Sequence, residues 1–312
     1  MQIGFVGLGK MGSNMVERLR RKADLEVVAH DRDPAVVRAV AELGASGAAS
    51  LEELIDILAP PRLVWLMIPA GRPTQDTVDR LATLLEPGDT VVDGGNSKWT
   101  DDKRRADQLA QKGLDYVDVG TSGGVWGLEE GYCLMVGGPH DAVARLAPVL
   151  DALAPPPEAE HGAGWAHLGP TGAGHYVKMV HNGIEYGLMQ AYAEGFELFD
   201  KSEYELDQAR IAHLWMRGSV VRSWLCELAA HAFEAEGDDL VGLEGRTEDS
   251  GEGRWMIEEA TARDIPTPVI TAALYARLYS RAGGEFTHRV LAALRNQFGG
   301  HDVTRPRGVP PA

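Results

Sequence analysis

A glycine motif near the start of the chain is the sequence feature that most constrains the fold. Residues 2–12 read QIGFVGLGKMG, an apolar run that leads into the spacing GxGxxG, and residues 13–22 have a helical pattern. Strand, glycine turn and helix in this order are typical of dinucleotide-binding folds, where the pyrophosphate lies at the helix N-terminus. A glycine turn without a ligand is the alternative. The residues predicted to contact the dinucleotide are Gly7, Leu8, Gly9, Lys10, Met11 and Gly12.

The second predicted strand, residues 25–30, indicates which dinucleotide is bound. Asp31 follows that strand about 20 positions after the glycines, where an acidic residue binds the 2′-hydroxyl of the NAD ribose. The next residue, Arg32, could instead face the 2′-phosphate of NADP, but Asp31 would repel that phosphate. The sequence therefore favours NAD as the cofactor and leaves NADP possible.

Strand and helix patterns continue to alternate up to residue 151. Further strands are predicted at residues 63–69, 90–93, 114–119 and 132–136, and helices at residues 35–43, 50–58, 74–85, 99–112 and 140–151. This alternation predicts an α/β fold with a doubly wound, mostly parallel sheet of the Rossmann type. Ligands of such sheets bind beyond the carboxyl ends of the strands, although the residue types found there are also those of ordinary turns. The residues at these ends are Met67, Asn96, Ser122, Gly123 and Gly124.

Three prolines at residues 155–157 and the glycines near residues 162–172 mark the end of this unit. We place the domain boundary near residue 165, and beyond it only helices are predicted, at residues 171–201, 207–235, 253–264 and about 268–297. The predicted organisation is a dinucleotide-binding domain over residues 1–165, an all-α domain over residues 166–301 and a flexible tail over residues 302–312.

The proline-free stretch of residues 171–201 is predicted to form one long helix with Thr171 as its N-cap. One face of this helix carries four polar residues, at positions i, i+3, i+4 and i+7. These residues are Lys178, His181, Asn182 and Glu185. Lys178 and Glu185 are then roughly 10 Å apart along the helix axis, so a small polyol could lie between a base and an acid. A solvated face with a charge pair is the alternative.

The remaining residues of this helix predict how it packs. Gly183 and Gly187 each cost helix stability, about 1 kcal/mol relative to alanine, and indicate that another element packs closely against them. The apolar side of the helix is predicted to be buried, so that the polar face needs partners, of which a ligand is one candidate. The residues of the apolar side are Val177, Val180, Ile184, Leu188 and Tyr192.

Charge and cysteine content argue against several classes of partner. With 30 Lys and Arg against 46 Asp and Glu, the net charge of −16 disfavours nucleic acid and anionic membranes. The sequence has two cysteines, Cys133 and Cys226, and lacks CxxC, so a reducing cytoplasm is the expected location. No apolar run reaches the length of a membrane span, and no HExxH or His/Cys cluster predicts a metal site.

Six segments of the sequence form a set: GLGKMG, DGGNS, GTSGG, GAGHYVKMVHNGIEYG, YAR and RNQFGGH. Together they resemble the decarboxylating 6-phosphogluconate dehydrogenases, for which DGGNS and KMVHNGIEYG are highly specific. The resemblance covers residues 2–301 and is to the short form of the family, whose all-helical domain is reduced. It implies oxidative decarboxylation of 6-phospho-D-gluconate to D-ribulose 5-phosphate and CO2 with reduction of NAD, a step of the pentose phosphate pathway.

The resemblance also assigns roles to residues of this sequence. It implies that Lys178 is the general base and Glu185 the general acid. The residues that it places at the substrate are Asn96, Ser122, Gly123, Gly124, His181, Asn182, Tyr186, Arg277, Arg295 and His301, and Met67 and Asn96 are also expected at the cofactor. Tyr186 and Arg277 would hold the phosphate. The tail with Arg295 and His301 would reach the neighbouring subunit's site, which implies a homodimer or homotetramer.

One loop departs from the family pattern. The long form of the family has Lys-Gly-Thr-Gly-Lys-Trp, whereas residues 250–255 of this chain read SGEGRW. Ser250 and Glu252 therefore replace a lysine and a threonine that contact the phosphate. We expect fewer groups to hold the phosphate, with Arg254 as a further candidate. We expect Glu252 either to point away from the phosphate or to serve another role.

Two alternative functions are left open. A 3-hydroxyacid dehydrogenase of the hydroxyisobutyrate or tartronate semialdehyde type, without decarboxylation, shares the fold, the glycine motif and the Lys178–Asn182 spacing. Glu185, Tyr186, Arg277 and the tail with Arg295 and His301 argue against it, because these features suit a phosphorylated sugar acid and a second proton transfer. A non-catalytic dinucleotide sensor would keep the glycine motif, but it need not keep Lys178 and Glu185.

Overall fold

The structure is a computed structural model of the chain, and it describes residues 1–23, 25–282 and 290. The chain divides into two compact units, Met1–His181 and Asn182–Ala312. Each unit has hydrophobic clusters of its own. The domain boundary near residue 165 stays a prediction, as does the flexible tail, because residues 302–312 lie outside the described residues.

The first unit is built on one eight-stranded sheet. Its strands are β1 (Gln2–Val6), β2 (Glu26–His30), β3 (Ser46–Gly47), β4 (Leu63–Leu66), β5 (Thr90–Asp93), β6 (Asp115–Ser122), β7 (Cys133–Gly137) and β8 (Trp165–Gly169). Their order is β3-β2-β1-β4-β5-β6-β7-β8, and every neighbouring pair is parallel except β6 and β7. This mostly parallel, doubly wound sheet confirms the predicted fold class.

Two hydrophobic clusters cover the two faces of the sheet, because side chains alternate in direction along a strand. Phe5 and Trp65 belong to one cluster, while their neighbours Val6 and Leu66 belong to the other. The central strands β4 and β5 are buried throughout, as expected for parallel strands with helices on both faces. Burial on both faces fixes the register of these strands, and with it the position of the turns that follow them.

Helices connect the strands of the first unit, and two of them begin at side-chain caps. The Asp33 carboxylate accepts a hydrogen bond from Ala35 N–H, and the Ser50 hydroxyl accepts one from Glu53 N–H. These caps satisfy backbone donors that a helix leaves unpaired at its start. The helices are α1 (Lys10–Lys22), α2 (Pro34–Glu42), α3 (Leu51–Ile57), α4 (Arg72–Leu81), α5 (Trp99–Ala110), α6 (Gly127–Glu130) and α7 (His140–Leu153), with a 3₁₀ turn at Gly124–Trp126.

Two strands of the sheet are not predicted by the sequence patterns. β3 has only two residues, and both are exposed. β8 begins at residue 165, so the prediction that only helices follow that residue is wrong. β8 pairs with β7 at the edge of the sheet, and most of its side chains are exposed. An exposed edge strand lacks the alternation of apolar and polar residues from which strands are recognised.

The long helix α8 spans Ala173–Asp200, which confirms the prediction of one helix there. Its first turn is capped from the sheet, because the Asp118 carboxylate accepts hydrogen bonds from the backbone N–H groups of Gly172 (2.6 Å) and His175 (2.9 Å). The predicted N-cap, Thr171, instead donates its hydroxyl to the Tyr116 carbonyl oxygen at 3.3 Å. The prediction of Thr171 as the cap is therefore wrong, because the side chain of Asp118, which is distant in sequence, accepts the hydrogen bonds that a capping residue would accept.

The second unit contains the later part of α8 and four further described helices: α9 (Gln208–Trp215), α10 (Trp224–Glu236), α11 (Glu252–Ala262) and α12 (Pro268–Ala282). The prediction of one helix over residues 207–235 is wrong, because residues 216–223 separate α9 from α10. Gly218 in this connection has a φ of 87°, which a helix does not contain. The Ser223 hydroxyl then caps α10 by accepting from Cys226 N–H. The helix predicted at residues 268–297 is described over residues 268–282.

The apolar side of α8 is more exposed than the sequence predicts. Val177, Ile184 and Leu188 are 39%, 52% and 47% exposed, so the prediction of burial is wrong for these side chains. Within the described part of the chain, no other element covers these three side chains completely. They do not mark a membrane span, because none of the described helices is long and apolar enough to cross a membrane.

Two glycines on α8 do face other helices closely. A Cβ added at Gly183 would lie 2.0 Å from Met256 Sδ, and one added at Gly187 would lie 3.3 Å from Val269 Cγ1. Both contacts are within the second unit. The close packing predicted from these glycines is therefore confirmed.

Candidate active site

The residues predicted to bind the cofactor line one cavity of about 790 Å³ in the first unit. The turn between β1 and α1 forms one wall, and the segments that follow β2, β4 and β5 form others. The predicted residues found along these walls are Gly7, Leu8, Gly9, Lys10, Met11, Gly12, Asp31, Arg32, Met67 and Asn96. The sheet thus brings four separate sequence segments together at the carboxyl ends of its strands.

The glycines of the turn differ in what surrounds them. A Cβ at Gly7 would lie 2.4 Å from the Met67 carbonyl oxygen, and one at Gly12 would lie 2.1 Å from the Gly7 carbonyl oxygen. Neither position can therefore accept a larger residue without moving the backbone. A Cβ at Gly9 would meet none of the described protein atoms within 4 Å. The space above Gly9 fits a pyrophosphate seated against the start of α1.

Asp31 ties the glycine turn to the end of β2. One carboxylate oxygen accepts a hydrogen bond from Leu8 N–H at 2.7 Å, and the other accepts one from Asp33 N–H at 2.9 Å. Each carboxylate oxygen can accept more than one hydrogen bond, so the group keeps capacity for a ribose hydroxyl. Its negative charge disfavours an additional phosphate at the same place. These residues therefore fit NAD.

A buried polar network supports the loop that carries Asn96. Asp93, the last residue of β5, accepts hydrogen bonds from Gly95 N–H at 3.0 Å and from the Ser97 hydroxyl at 2.7 Å. The Arg105 guanidinium lies 3.2 Å from the same carboxylate, and both side chains are fully buried. Buried charges are stable only with partners of this kind, so the network favours a single conformation of the loop.

The same network reaches the first turn of α8. His175 Nδ1 lies 2.7 Å from Asp102 Oδ2, and both side chains are buried. Burial alone would lower the pKa of His175, but Asp102, Asp93 and Asp118 together raise it to about 10. His175 is therefore an imidazolium at neutral pH. Its charge links the start of α8, one turn before Lys178, to the loop after β5.

Lys178, the predicted base, lies against β6. Gly120 of that strand permits this approach, because a Cβ added there would lie 2.4 Å from Lys178 Cβ. The Gly174 carbonyl oxygen would be 2.9 Å from the same Cβ, so α8 touches the strand over a full turn. The glycine in the sheet thus sets how closely the helix, and with it the lysine, approaches the carboxyl end of β6.

His181 and Ser122 lie near each other where β6 ends. The distance between Ser122 Oγ and His181 Nε2 is 3.5 Å. The next two residues, Gly123 and Gly124, have φ values of 131° and 54°, which favour glycine. Cys133 is the partner of Ser122 across β6 and β7. Burial raises the pKa of the Cys133 thiol, and the charge of the nearby lysine partly offsets this.

In the second unit, Asn182 and Tyr186 of α8 pack against the start of α11. Asn182 Nδ2 donates a hydrogen bond to Glu252 Oε1 at 2.5 Å, and both residues are buried. The Tyr186 hydroxyl accepts a hydrogen bond from Ser250 N–H at 3.3 Å. A Cβ at Gly253 would lie 2.7 Å from the Tyr186 ring. The loop that departs from the family pattern is therefore packed on α8, with the Glu252 side chain turned inward.

Arg277 of α12 stacks on the Tyr186 ring, with its guanidinium carbon 3.5 Å from the ring centroid. It also donates a hydrogen bond to the Glu248 carbonyl oxygen at 3.2 Å. Arg254, the further phosphate candidate, instead donates two hydrogen bonds of 3.0 Å to Asp249. These bonds lower the pKa of Asp249. Arg277 and Tyr186 are thus adjacent, whereas Arg254 is engaged by a carboxylate.

Two family models match the chain. The NAD binding domain of 6-phosphogluconate dehydrogenase matches residues 2–162, and the C-terminal domain of 6-phosphogluconate dehydrogenase matches residues 174–301. The chain belongs to the 6-phosphogluconate dehydrogenase family.

Individual relatives of this family differ in length. One relative, from Haloferax volcanii, is named as an NAD(+)-dependent, decarboxylating 6-phosphogluconate dehydrogenase and is 45% identical to this chain. The match covers 98% of this chain and 99% of the relative. The solved 6-phosphogluconate dehydrogenase of Plasmodium falciparum has a TM-score of 0.81 at 28% identity. That match covers 99% of this chain but 67% of the Plasmodium chain. The lengths agree with a short and a long form of the family.

A solved 3-hydroxyisobutyrate dehydrogenase from Salmonella typhimurium shares the fold of the family alone. Its TM-score is 0.73 at 23% identity, and the match covers 91% of this chain and 95% of that one. The fold therefore does not separate 6-phosphogluconate dehydrogenases from the rival considered above, whereas the match of the C-terminal domain does.

The contacts described above do not include three of the residues predicted from the resemblance to this family. Glu185, the predicted acid, is a partly exposed residue of α8 in the second unit. Arg295 and His301, the predicted tail residues, lie outside the described residues.

The structure adds charged residues that the sequence reasoning missed. Asp93 and His175 lie within two of the family segments, DGGNS and GAGHYVKMVHNGIEYG, so the motifs could have indicated them. Asp102, Arg105 and Asp118 lie in ordinary helix and strand patterns. Charged residues in such patterns are usually exposed, and their burial follows only from the tertiary structure.

Proposed function

We propose that this chain is an NAD-dependent 6-phosphogluconate dehydrogenase that converts 6-phospho-D-gluconate to D-ribulose 5-phosphate and CO2. The observation that carries this proposal is the match of residues 174–301 to the C-terminal domain of the family. That stretch contains both proposed proton-transfer residues, Lys178 and Glu185. The NAD(+)-dependent relative from Haloferax volcanii, which has nearly the same extent as this chain, supports the choice of cofactor.

The proposed reaction divides proton transfer between two residues of α8. NAD, when bound at the glycine turn, supplies an acceptor for the hydride of substrate C3. Neutral Lys178 takes the proton of the 3-hydroxyl group, and the product of this oxidation is a 3-keto acid. Protonated Lys178 then polarises the ketone while the carboxyl group leaves as CO2. The electron pair of the broken C1–C2 bond and the proton of Lys178 complete an enediol. Protonated Glu185 then donates a proton to the carbon that carried the carboxyl group, which is C1 of the product, while Lys178 takes back the hydroxyl proton as the ketone of D-ribulose 5-phosphate forms.

The other proposed substrate contacts fall into two groups. Asn96, Ser122 with the glycines after it, His181 and Asn182 would bind the polyol. Tyr186 and Arg277 would hold the phosphate, since a guanidinium forms strong charge-assisted hydrogen bonds with phosphate oxygens. The stacking of Arg277 on Tyr186 supports their acting as a pair.

We propose the homo-oligomeric assembly that the family resemblance implies and the cytoplasmic location that the cysteine content favours. A homodimer or homotetramer would place the tail with Arg295 and His301 at the neighbouring subunit's substrate. Residues 1–165 would bind the cofactor, residues 166–301 would bind substrate and form the oligomer, and residues 302–312 would be a flexible tail. Cys133 and Cys226 are unpaired, which favours the reducing cytoplasm. The net charge of −16 makes nucleic acid and anionic membranes unfavourable partners.

Initial rates with 6-phosphogluconate, measured with NAD and with NADP while CO2 is trapped, test the proposed function. We expect one CO2 for each NADH and a higher kcat/KM with NAD than with NADP. Cofactor reduction without CO2 would overturn the decarboxylation step. Turnover of 3-hydroxyisobutyrate but not of 6-phosphogluconate would establish the first rival. Tight cofactor binding without turnover of either substrate would support the non-catalytic sensor.

A further inference from the structure

Glu252 is a buried carboxylate in the loop that departs from the long-form pattern. It is the first residue of α11, and its side chain and backbone are together only 3% exposed. A carboxylate in such a place is costly unless hydrogen bonds or charges compensate it. The N-terminus of α11 supplies part of this compensation, because the helix dipole favours negative charge there.

The two oxygens of Glu252 have different surroundings. Oε1 accepts the hydrogen bond from Asn182 Nδ2 at 2.5 Å, which is a charge-assisted contact. Oε2 is also buried, and within the described residues it has no hydrogen-bond partner. Since a buried polar atom without a partner is rare in folded proteins, Oε2 calls for a donor that the described residues do not supply.

Close packing holds Glu252 in this position. The Met256 sulfur fills the space beside Gly183, and the Tyr186 ring fills the space beside Gly253. A Cβ at either glycine would clash, at 2.0 Å and 2.7 Å respectively. The first turn of α11 therefore packs directly on α8 at both glycines, next to the Glu252–Asn182 contact.

We propose that Glu252 is a specificity-determining residue, which orients the Asn182 amide with one oxygen and accepts a hydrogen bond from a hydroxyl group of the sugar acid with the other. This proposal rests on the proposed function, because Asn182 is a substrate contact only there. A polyol supplies the hydroxyl donors that Oε2 needs. A phosphate supplies none when it is fully ionised and would be repelled, so Glu252 selects for the polyol part of the substrate.

Glu252→Gln tests this proposal, because glutamine keeps the size and shape of the side chain but lacks the charge and one acceptor. We expect the KM for 6-phosphogluconate to rise roughly 10- to 100-fold, the range of a lost hydrogen bond to a charged group, with a smaller change in kcat. The KM for NAD should stay within about 2-fold of the wild-type value, a change worth less than 0.5 kcal/mol. Glu258→Gln, which makes the same charge change at an exposed position of α11, is the matched control.

Two further measurements separate a specific role from a structural one. In the Asn182→Ala background, Glu252→Gln should raise the KM by less than it does in the wild type. The portion of the KM increase that acts through the Asn182 amide is already lost in that background. Thermal unfolding of each variant shows whether the chain is folded. If Glu252→Gln does not fold, Glu252→Asp, which keeps the charge and withdraws the carboxylate by one methylene, should raise the KM instead.

The outcomes distinguish this proposal from the proposed function. Wild-type turnover with an unchanged KM in both folded Glu252 variants would overturn the role of Glu252 alone. Equal effects of Glu252→Gln in the wild-type and Asn182→Ala backgrounds would overturn the orientation of Asn182 by Glu252. Absence of wild-type turnover would overturn the proposed function, and this proposal with it.

Discussion

Lys178 is the residue whose replacement should affect the proposed reaction most. We expect Lys178→Ala to lower kcat by about 100- to 10,000-fold, the usual contribution of a positioned general base, while the affinity for NAD stays the same. Steady-state kinetics and NAD titration measure the two quantities. Lys201→Ala, which removes an exposed lysine just beyond the same helix, is the control and should leave both unchanged. A Lys178→Ala enzyme with normal kcat would contradict the assignment of the base.

His175 should make the stability of the protein depend on pH. Its pKa of about 10 in the folded state exceeds its ordinary value of 6.5, so the folded state holds this proton more tightly than the unfolded state. The resulting stabilisation is complete below pH 6.5 and is lost as the pH rises towards 10. Between pH 7 and 9.5 the free energy of unfolding of the wild type should therefore fall by about 1 kcal/mol per pH unit more than that of His175→Asn.

Urea unfolding at several pH values measures this difference. His213→Asn, which makes the same change at an exposed histidine of α9, is the matched control. Parallel curves for the wild type and His175→Asn would show that the imidazolium of His175 does not stabilise the fold.

Single residues were predictable from the sequence where a backbone turn or a motif demands them. Gly7 and Gly12 must be glycines, because a Cβ added at either position would lie within 2.4 Å of a backbone oxygen. Both belong to the GxGxxG spacing, which is recognisable in the sequence. Asp118 is different, since it caps α8 from 54 residues away in sequence. A pairing over such a distance is set by the order of strands in the sheet, which no local pattern contains.

At the scale of elements, two glycines of α8 should respond to alanine in opposite ways. Gly183→Ala places a Cβ 2.0 Å from Met256 Sδ, so we expect a loss of about 1 to 3 kcal/mol in the free energy of unfolding. Gly195→Ala meets no described atom within 4 Å and should stabilise the protein by about 0.5 to 1 kcal/mol through helix propensity. Urea unfolding of the two variants gives both values, and a change of the same sign in both would contradict this account of the packing.

The elements predicted correctly are those whose burial shows in the sequence. β4 and β5 are buried on both faces, and their apolar runs are easily recognised. β8 is exposed at the edge of the sheet, so its sequence has no such run. The break between α9 and α10 was missed because one glycine within a helical pattern is weak evidence, although Gly218 does adopt a positive φ there.

At the scale of the whole molecule, the proposed sharing of sites between subunits can be tested by mixing inactive variants. Lys178→Ala removes the base, and the double variant Arg295→Ala and His301→Ala removes the tail contacts that would serve the neighbour. If the tail acts in the neighbouring site, a mixed dimer keeps one site with all groups intact. Co-expression of the two variants should then restore about a quarter of wild-type activity, because half of the dimers are mixed. Activity no higher than that of either parent would contradict the shared site.

The antiparallel pair of β6 and β7 has a consequence for the order of folding. β7 runs against β6, and β8 is parallel to β7, so β8 ends at the end of the sheet opposite the cofactor cavity. Helix α8 then runs back along β6 and brings Lys178 and His181 to the carboxyl end of that strand. The contacts that fix this return join residues 54, 59 and 73 positions apart. Closing such long loops is entropically slow compared with pairing neighbouring strands. We therefore expect the turn between β1 and α1 to contact the end of β2, through a hydrogen bond that spans 23 positions, before Lys178 reaches the carboxyl end of β6.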